Sequence, residues 1–371
     1  MYEKILPQLE TPSVLIDLQK VQANIDAMQK LCDDANIALR PHIKTHKMKE
    51  LARMQLAAGA KGITCAKISE AEVMAEGGCE DIFIAYPLVG DFRIQRAIAL
   101  AKKTKRLILA VDSVEGAAAL SAAAQKEALE LEVRLEIETG ANRTGVRSER
   151  LLDTAKAVAA MPNLRLTGIY TFKSMALLTG ATVDNAAAGA EEGALMAQAA
   201  HQLRQEGIPI QEISGGSSPT APWVVGTGQV DEVRPGTYIF KDSTLWKQGA
   251  AKLEEIAAFV VVTVVSIPCG QYAVIDGGTK VFPTDIQLNR APYYHEGYAK
   301  VVGSDDLVLT RVNEEHGMLY SKSGQTGLKV GQKLLLYPGH VCTTINLRNE
   351  VYILDNGRLR RAKVDARGMS V

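Results

Sequence analysis

Several features that would assign a chain to a particular class of protein are missing from this sequence. Its 42 Lys and Arg residues balance 42 Asp and Glu residues, so the formal net charge is zero and no basic stripe is available for a phosphate backbone. No apolar run reaches the length of about 18 to 20 residues that a membrane-spanning helix needs, and the longest covers 256–267. We therefore expect neither a nucleic-acid partner nor a membrane partner.

Cysteine is also scarce. The five cysteines are odd in number and widely spaced, a pattern that does not predict a set of disulfides. Residues 1–10 lack the charged and then apolar pattern of a secretory signal, so both observations favour a reducing cytoplasm. With 371 residues, 47% of them hydrophobic, the chain has the composition of a globular protein with room for one barrel-sized domain and a smaller one.

An alternating pattern of strands and helices extends from residue 37 to residue 238. Short β-branched runs end in polar or Gly-containing turns, and stretches rich in Ala, Leu and Glu with helical periodicity follow them. Because parallel strands need crossover connections, this alternation predicts a parallel sheet, and eight units close naturally into a (β/α)8 TIM-type barrel. The eight predicted strands are 37–40, 62–65, 81–86, 106–111, 132–138, 165–172, 211–214 and 231–238.

The pattern changes after residue 238. Strand-like runs follow one another with short turns and no helical stretches between them, which predicts an antiparallel β domain. Residues 13–17 also resemble a strand, and we expect them to pair with this second domain. The predicted fold is thus α/β, with a barrel domain at 18–245 and a mainly antiparallel β domain formed by 1–17 plus 246–371. The predicted strands of the second domain are 260–267, 272–275, 298–302, 307–312, 333–337 and 351–354.

The first candidate for a reactive group follows the first predicted strand, in the segment RPHIKTHK. In a barrel of this type the reacting groups lie at the carboxyl ends of the strands. Lys44 would point into the mouth of the barrel among cationic neighbours, which favour a neutral amine suited to forming a Schiff base. The alternative interpretation is a surface loop with a cluster of basic residues.

Other predicted strand ends carry groups that bind anions. Two glycines flank an arginine after the fifth strand, and small residues after the seventh expose backbone N–H groups that can cradle a phosphate. An ordinary Gly/Ser turn is the alternative interpretation of the latter segment. The residues concerned are Arg143 after the fifth strand, Ser214, Gly215 and Gly216 after the seventh, and Arg234 and Tyr238 at the eighth.

A possible pair of metal ligands lies near the C-terminus. His340 and Cys342 are two residues apart, so they lie on one side of the chain if that segment is extended. Imidazole and thiolate groups suit a borderline-soft divalent metal such as zinc, with positions left open for a substrate. A buried histidine beside a structural thiol is the alternative.

Taken together, these segments resemble the alanine-racemase-like pyridoxal-phosphate enzymes of fold type III, and within them the D-threonine aldolase and D-serine dehydratase family. The resemblance covers nearly the whole chain. It rests on the segments TPSVLIDLQKVQANI, RPHIKTHK, ISEAEVMAEGG, ETGANRTGV, SGGSSPT, VRPGTYIF, NEEHG and PGHVCTTINL.

The resemblance implies a cofactor, a metal and a homodimer. Lys44 is the implied catalytic residue and would form the Schiff base with pyridoxal phosphate. His340 and Cys342 are the implied ligands of a divalent metal, zinc or manganese. The implied cofactor-binding residues are Lys44, Arg143, Tyr170, Ser214, Gly215, Gly216, Arg234 and Tyr238.

The resemblance also implies a lyase reaction on D-3-hydroxy amino acids. Removal of the Cα proton by Lys44 and loss of the β-hydroxyl give a keto acid and ammonia, whereas retro-aldol cleavage gives glycine and an aldehyde. Family dehydratases resemble this chain in having Cys at the position of Cys342, where aldolases tend to have Asp. A D-serine dehydratase type of elimination is therefore favoured, and a D-threonine aldolase type of cleavage is the alternative.

Two other functions fit the sequence less well. Racemases of this fold need a second acid or base from a tyrosine segment, which has no clear counterpart near 276–280. Non-enzymatic pyridoxal-phosphate carriers have a single barrel and lack the β domain. The segment 170–175 also lacks the Gly-His that many relatives have after the tyrosine. Lys173 in this segment either favours an acidic substrate side chain, such as that of 3-hydroxyaspartate, or faces solvent.

Overall fold

The computed structural model describes residues 2–371, which form two compact units. The barrel unit contains residues 25–44, 48–236 and 369–371, and the β unit contains residues 2–24, 45–47 and 237–368. The predicted division into domains at residues 17 and 245 stays a prediction.

In the barrel unit, eight parallel strands form one sheet. From the second strand to the eighth, each strand pairs with the next one in chain order, and the eighth pairs with the first. A bridge between His42 and Thr64 joins the end of the first strand to the second, so the sheet closes and the predicted (β/α)8 fold is confirmed. The strands are Ala38–Leu39, Ile63–Cys65, Asp81–Ile84, Arg106–Val111, Leu131–Glu136, Leu164–Tyr170, Glu212–Gly215 and Glu232–Val233.

Helices follow the barrel strands where the Ala/Leu/Glu-rich stretches predict them. Ser113 Oγ accepts a hydrogen bond from the N–H of Gly116 at 3.3 Å, and Asp184 accepts one from the N–H of Ala187 at 2.9 Å, so both side chains cap a helix. No helix within residues 2–371 is long and apolar enough to span a membrane. Leu18–Asp34 precedes the first strand, and the later helices are Lys49–Ala57, Ile68–Glu76, Asp91–Ala101, Val114–Lys126, Leu151–Ala159, Asn185–Gln205 and Ala221–Gly226.

The β unit contains a nine-stranded sheet that is antiparallel except at one pair. Ser13–Asp17 is antiparallel to Ala258–Cys269 and parallel to Glu350–Asp355, so its expected pairing with the C-terminal strands is confirmed. Two strands, Gly317–Ser321 and Arg358–Lys363, are absent from the prediction. The other strands are Tyr272–Ile275, Ala299–Val301, Leu307–Val312 and Lys333–Pro338, and the helices are Ser243–Lys247 and Val341–Asn346.

The strand Ala258–Cys269 passes through the core of the β unit. Val260 and Val262 belong to one buried apolar cluster, and the alternating residues Phe259 and Val261 belong to another. Because side chains alternate between the faces of a strand, burial of both faces explains why residues 258–262 are continuously apolar.

The interior of the barrel contains a network of buried ions. Glu232 accepts hydrogen bonds from Arg40 Nε and Arg134 Nη1, each at 2.7 Å, and none of these three side chains is more than 1% exposed. Arg134 also forms a salt bridge with Glu212. Burial by itself would raise the pKa of Glu232, but the two arginines hold that pKa well below its usual range. The carboxylate is therefore charged and shared by two buried cations.

Replacing Glu232 with Gln is expected to destabilise the fold by about 3 kcal/mol, because two buried guanidinium groups lose their shared counter-charge. Urea unfolding followed by circular dichroism measures the change. Glu130→Gln is the matched control, since Glu130 pairs with Arg165 at the surface, where the two side chains are 63% and 48% exposed. The control is expected to change stability by less than about 1 kcal/mol. Equal changes in the free energy of unfolding for the two substitutions would show that burial of the ion network adds nothing to stability.

Candidate active site and metal ligands

A cavity of about 270 Å³ lies in the barrel unit, where the barrel strands end. Active sites of TIM-type barrels are built at this end of the strands. Four of the predicted site residues, Lys44, Arg143, Tyr170 and Arg234, line the cavity together with Phe172 and Glu136. The structure therefore brings together side chains from the segments after the first, fifth, sixth and eighth strands.

Lys44 and Arg143 share an aromatic neighbour in this cavity. Lys44 lies in the short 3-10 helix Ile43–Thr45, and its Nζ atom is 5.4 Å from the ring centre of Phe172. The guanidinium carbon of Arg143 is 4.7 Å from the same ring centre, within the range of a cation–π interaction. Within the described part of the chain, Arg143 forms no salt bridge, so its charge is available to an anionic ligand.

Glu136 lines the cavity and was not predicted from the sequence. Its carboxylate accepts hydrogen bonds from the hydroxyls of Tyr170 and Thr144, each at 2.9 Å. Burial raises the pKa of Glu136, although both hydrogen bonds favour the charged form. Burial and the nearby Glu136 also raise the pKa of Tyr170 well above its usual value. Tyr170 is therefore a neutral hydroxyl donor.

A local signal for Glu136 does exist in the sequence. Glu132, Arg134 and Glu136 alternate along the fifth strand with apolar residues, and all three are buried. Alternation with period two places the three charges on one face of the strand. In a closed barrel that face is the interior, so charged residues at every second position mark inward-pointing groups.

Arg234, which lines this cavity, is held by two hydrogen bonds. Its Nε donates to Ser214 Oγ at 2.8 Å, and its Nη2 donates to the carbonyl of Thr171. Burial lowers the pKa of Arg234. Ser214 in turn donates to Glu232 at 2.8 Å, so its hydroxyl is part of the buried ion network.

The glycine-rich turn after the seventh strand is anchored by a buried carboxylate. Gly216 has a positive φ of 73°, and its N–H donates to Glu192 Oε1 at 2.8 Å. Thr220 Oγ1 donates to the other oxygen of the same carboxylate at 3.3 Å. Burial raises the pKa of Glu192 to about 6, against the effect of these hydrogen bonds. Glu192, on the helix Asn185–Gln205, was not identified from the sequence, and the role of Gly215 and Gly216 around a phosphate stays a prediction.

The expectation that Lys173 faces solvent is wrong. Its side chain is completely buried, and its Nζ atom is 2.5 Å from Glu191 Oε1. The same ammonium donates to the carbonyl of Thr139 at 2.6 Å. Burial of this lysine is possible because Glu191 supplies the counter-charge. Lys173 and Glu191 are 18 positions apart in the sequence.

The second candidate site lies in the β unit, where the local structure differs from the prediction. His340 and Cys342 do not lie in an extended segment, because His340 is the N-cap of the helix Val341–Asn346 and Cys342 lies inside that helix. Burial by itself would lower the pKa of His340, but hydrogen bonds with Asp285 and Cys342 raise it to about 11. The two side chains therefore still meet, through a helical turn.

Asp285 orients the imidazole of His340. Its Oδ2 atom is 2.6 Å from His340 Nδ1 and accepts a second hydrogen bond from Thr343 at 3.1 Å. A histidine that binds a metal commonly donates its other ring N–H to a carboxylate in this way. No motif marks Asp285, which lies 55 residues before its partner, so the sequence offered no signal for it.

Two hydroxyls surround the sulfur of Cys342. Thr45 Oγ1 is 3.2 Å from it and Thr237 Oγ1 is 3.6 Å from it. Among residues 2–371 no group of three or more His, Cys, Asp or Glu side chains is arranged so that it could hold a metal ion. Tyr238, which follows Thr237, is buried in the 3-10 helix Thr237–Ile239 of the β unit.

Comparison with known proteins gives matches along most of the chain. The model of the alanine racemase N-terminal domain matches residues 16–244, and that of a serine dehydratase domain matches residues 257–354. The chain is 30% identical to D-threonine aldolase of Arthrobacter sp., over 98% of this chain and 94% of that protein. It is 33% identical to D-threo-3-hydroxyaspartate dehydratase of Delftia sp., over 91% of this chain and 92% of that protein.

One similar solved structure is that of a D-threo-3-hydroxyaspartate dehydratase, a cysteine-to-alanine variant in the metal-free form. Its TM-score with this chain is 0.87 at 30% identity, and the match covers 96% of this chain and 98% of that one.

Proposed function

The chain belongs to the D-threonine aldolase and D-serine dehydratase family of alanine-racemase-like pyridoxal-phosphate enzymes, and on this basis we propose that it removes water from a D-3-hydroxy amino acid with the help of a divalent metal. Its relatives are lyases, and the chain is a lyase of this cofactor-dependent type acting on a small D-hydroxy amino acid. The proposed products are a keto acid and ammonia.

The residues of the barrel cavity fit pyridoxal phosphate. A primary amine, an aromatic face and an unpaired cation meet there in Lys44, Phe172 and Arg143. When bound, the cofactor supplies an electron sink for negative charge at the substrate's Cα atom. We propose that Lys44 holds it covalently. The other proposed cofactor-binding residues are Arg143, Tyr170, Ser214, Gly215, Gly216, Arg234 and Tyr238.

Within the cavity the chain's own groups have separate roles. Lys44 Nζ is the base proposed to remove the Cα proton. Tyr170 keeps its proton and holds the Glu136 carboxylate by a hydrogen bond, which keeps this acid in one position. Arg143 provides positive charge for an anionic group of cofactor or substrate.

The donor pair of the β unit fits a divalent metal. Because Nδ1 bonds to Asp285, Nε2 is the nitrogen of His340 that would bind the metal. A nitrogen and sulfur pair suits zinc better than manganese, which prefers oxygen ligands. When bound, such a cation supplies Lewis acidity for the departing hydroxyl. The cysteine-to-alanine dehydratase variant in the metal-free form supports a link between a cysteine and the metal in this family.

The observation that carries the choice of elimination is the identity of Cys342. Family dehydratases have Cys as the second ligand, whereas aldolases tend to have Asp. The 30% identity to D-threonine aldolase over 98% of the chain favours the second candidate, retro-aldol cleavage to glycine and an aldehyde. Overall similarity therefore does not separate the two reactions, and the proposal of elimination rests on Cys342.

Product analysis tests the choice directly. The metal-loaded holoenzyme is expected to convert D-serine or D-3-hydroxyaspartate to equal amounts of keto acid and ammonia, measured by enzymatic assay and mass spectrometry. D-Threonine is included because the two reactions would give different products from it. The L-enantiomers are the matched controls and are expected to give no product. Glycine and an aldehyde from the D-substrates would contradict the dehydratase proposal and establish the aldolase.

We also propose that the enzyme is a homodimer, as the family resemblance implies. The chain mass is 40.0 kDa, so light scattering coupled to gel filtration is expected to give about twice that value. A mass equal to that of one chain at micromolar concentration would contradict this proposal.

A further inference from the structure

Two hydroxyl side chains from the segment after the eighth barrel strand bind the backbone just before His340. Ser243 Oγ donates to the carbonyl of Pro338 at 3.0 Å, and Thr244 Oγ1 donates to the carbonyl of Gly339 at 2.7 Å. These two carbonyls are consecutive. The two bonds therefore hold the backbone in place directly before His340.

A third side chain of the same segment binds the backbone just after His340. Asp242 Oδ2 accepts a hydrogen bond from the N–H of Val341 at 3.0 Å, and its Oδ1 accepts one from the N–H of Leu245 at 2.9 Å. The aspartate is 1% exposed. Val341 is the residue between His340 and Cys342, so this carboxylate reaches the backbone between the two proposed ligands.

The Asp242 carboxylate supplies a hydrogen-bond acceptor that the side chain at the N-cap of the neighbouring helix does not supply. The helix Val341–Asn346 begins with N–H groups that need acceptors, and His340 at its N-cap makes no side-chain capping bond. Asp242 caps this helix from 99 residues earlier in the chain and also caps its own helix, Ser243–Lys247. One buried carboxylate thus ties two helix N-termini together.

We propose that Asp242 is a positioning residue for the metal ligands His340 and Cys342, assisted by Ser243 and Thr244. This inference rests on the proposed function, in which His340 and Cys342 hold a divalent cation. A helical turn, and no extended strand, brings the imidazole and the thiol together, so the geometry of the pair depends on where that turn begins. The three side chains hold the beginning of that turn by three hydrogen bonds.

Zinc affinity of the full-length holoenzyme, measured by competition with a chelating dye, tests the proposal. Asp242→Ala is expected to weaken zinc binding by about 10- to 100-fold, the usual effect of losing a group that orients a metal ligand. Asp242→Asn keeps one acceptor oxygen and is expected to lose less zinc affinity than Asp242→Ala. The matched control is Asp276→Ala, because Asp276 accepts hydrogen bonds from the Thr263 N–H and the Thr11 hydroxyl in the same unit.

The control separates positioning from general loss of stability. Asp276→Ala is expected to lower the melting temperature and to leave the zinc affinity of the folded protein unchanged. If Asp242→Ala does not fold, the double variant Ser243→Ala with Thr244→Val removes the other two bonds and is expected to weaken zinc binding as well. The proposal would be overturned if the folded Asp242→Ala protein bound zinc with wild-type affinity. If Asp242→Ala does not fold, wild-type zinc affinity in the double variant would overturn it.

A further variant distinguishes this failure from failure of the proposed metal site. His340→Ala combined with Cys342→Ala is expected to abolish specific zinc binding. If it binds zinc as the wild type does, the ligands themselves are wrong, and the inference about Asp242 is overturned along with them. If it loses zinc while Asp242→Ala does not, the metal site stands and only the positioning role is wrong.

Discussion

Lys44→Ala is expected to lose the visible absorption of covalently held pyridoxal phosphate and to lower kcat by about 10⁴-fold. The substitution removes both the amine that would hold the cofactor and the base that would take the Cα proton, and a positioned base alone contributes up to about 10⁴-fold. Absorbance of the purified protein reports the first effect. A coupled assay for ammonia release from a D-3-hydroxy amino acid reports the second.

A nearby lysine provides the control for this substitution. Lys49 lies five positions later, where its Nζ atom is 3.5 Å from Glu76 Oε2 in a partly exposed pair. Lys49→Ala is expected to keep the absorption and the turnover of the wild type. A Lys44→Ala protein that is folded, absorbs like the wild type and turns over substrate would remove Lys44 from its proposed role.

Removal of the divalent metal is expected to lower lyase turnover by about 10³-fold, because Lewis-acid stabilisation of a departing hydroxyl contributes several kcal/mol. Dialysis against a chelator, followed by metal analysis, produces the metal-free holoenzyme. Added zinc is expected to restore turnover, and manganese is the second metal to be tested. Cys342→Ser is expected to reproduce the loss and to resist restoration at the same zinc concentration.

Cys269→Ser is the matched control for the thiol, since Cys269 is an exposed free cysteine of the same unit. It is expected to leave both metal content and turnover unchanged. A racemase or a cofactor carrier would be indifferent to the chelator. Full turnover in a preparation shown to contain no metal would therefore exclude the proposed metal-dependent elimination.

Two segments of the β unit have local sequences that do not predict the structure they adopt. Arg358–Lys363 reads RLRRAK and has no apolar alternation, because it is the edge strand of its sheet and pairs on one side only, with Glu350–Asp355. Val341–Asn346 is rich in β-branched residues, which predict an extended segment, yet it is a helix. In both cases contacts made after folding outweigh local preference.

The candidate site was predictable to the extent that its residues follow barrel strands. Lys44, Arg143, Tyr170 and Arg234 come from four separate segments, and a barrel collects strand ends at one rim, so the topology alone is enough to place them in one cavity. Ser214 is different. Its position at a strand end was foreseen, but its hydroxyl is bonded to Arg234 and Glu232, a partnership that depends on three-dimensional packing.

By itself, the sequence determined the fold class and indicated the segments that we propose carry the chemistry, because strand and helix periodicity and the RPHIKTHK and PGHVC segments are local patterns. The tertiary structure alone decided the partners of those segments. Asp285 binds His340 from 55 residues away, and Asp242 binds the N-terminus of the helix Val341–Asn346 from 99 residues away. The physical reason is that a hydrogen bond or an ion pair depends on distance in space, and no local pattern records which distant residues the folded chain brings within about 3 Å of each other.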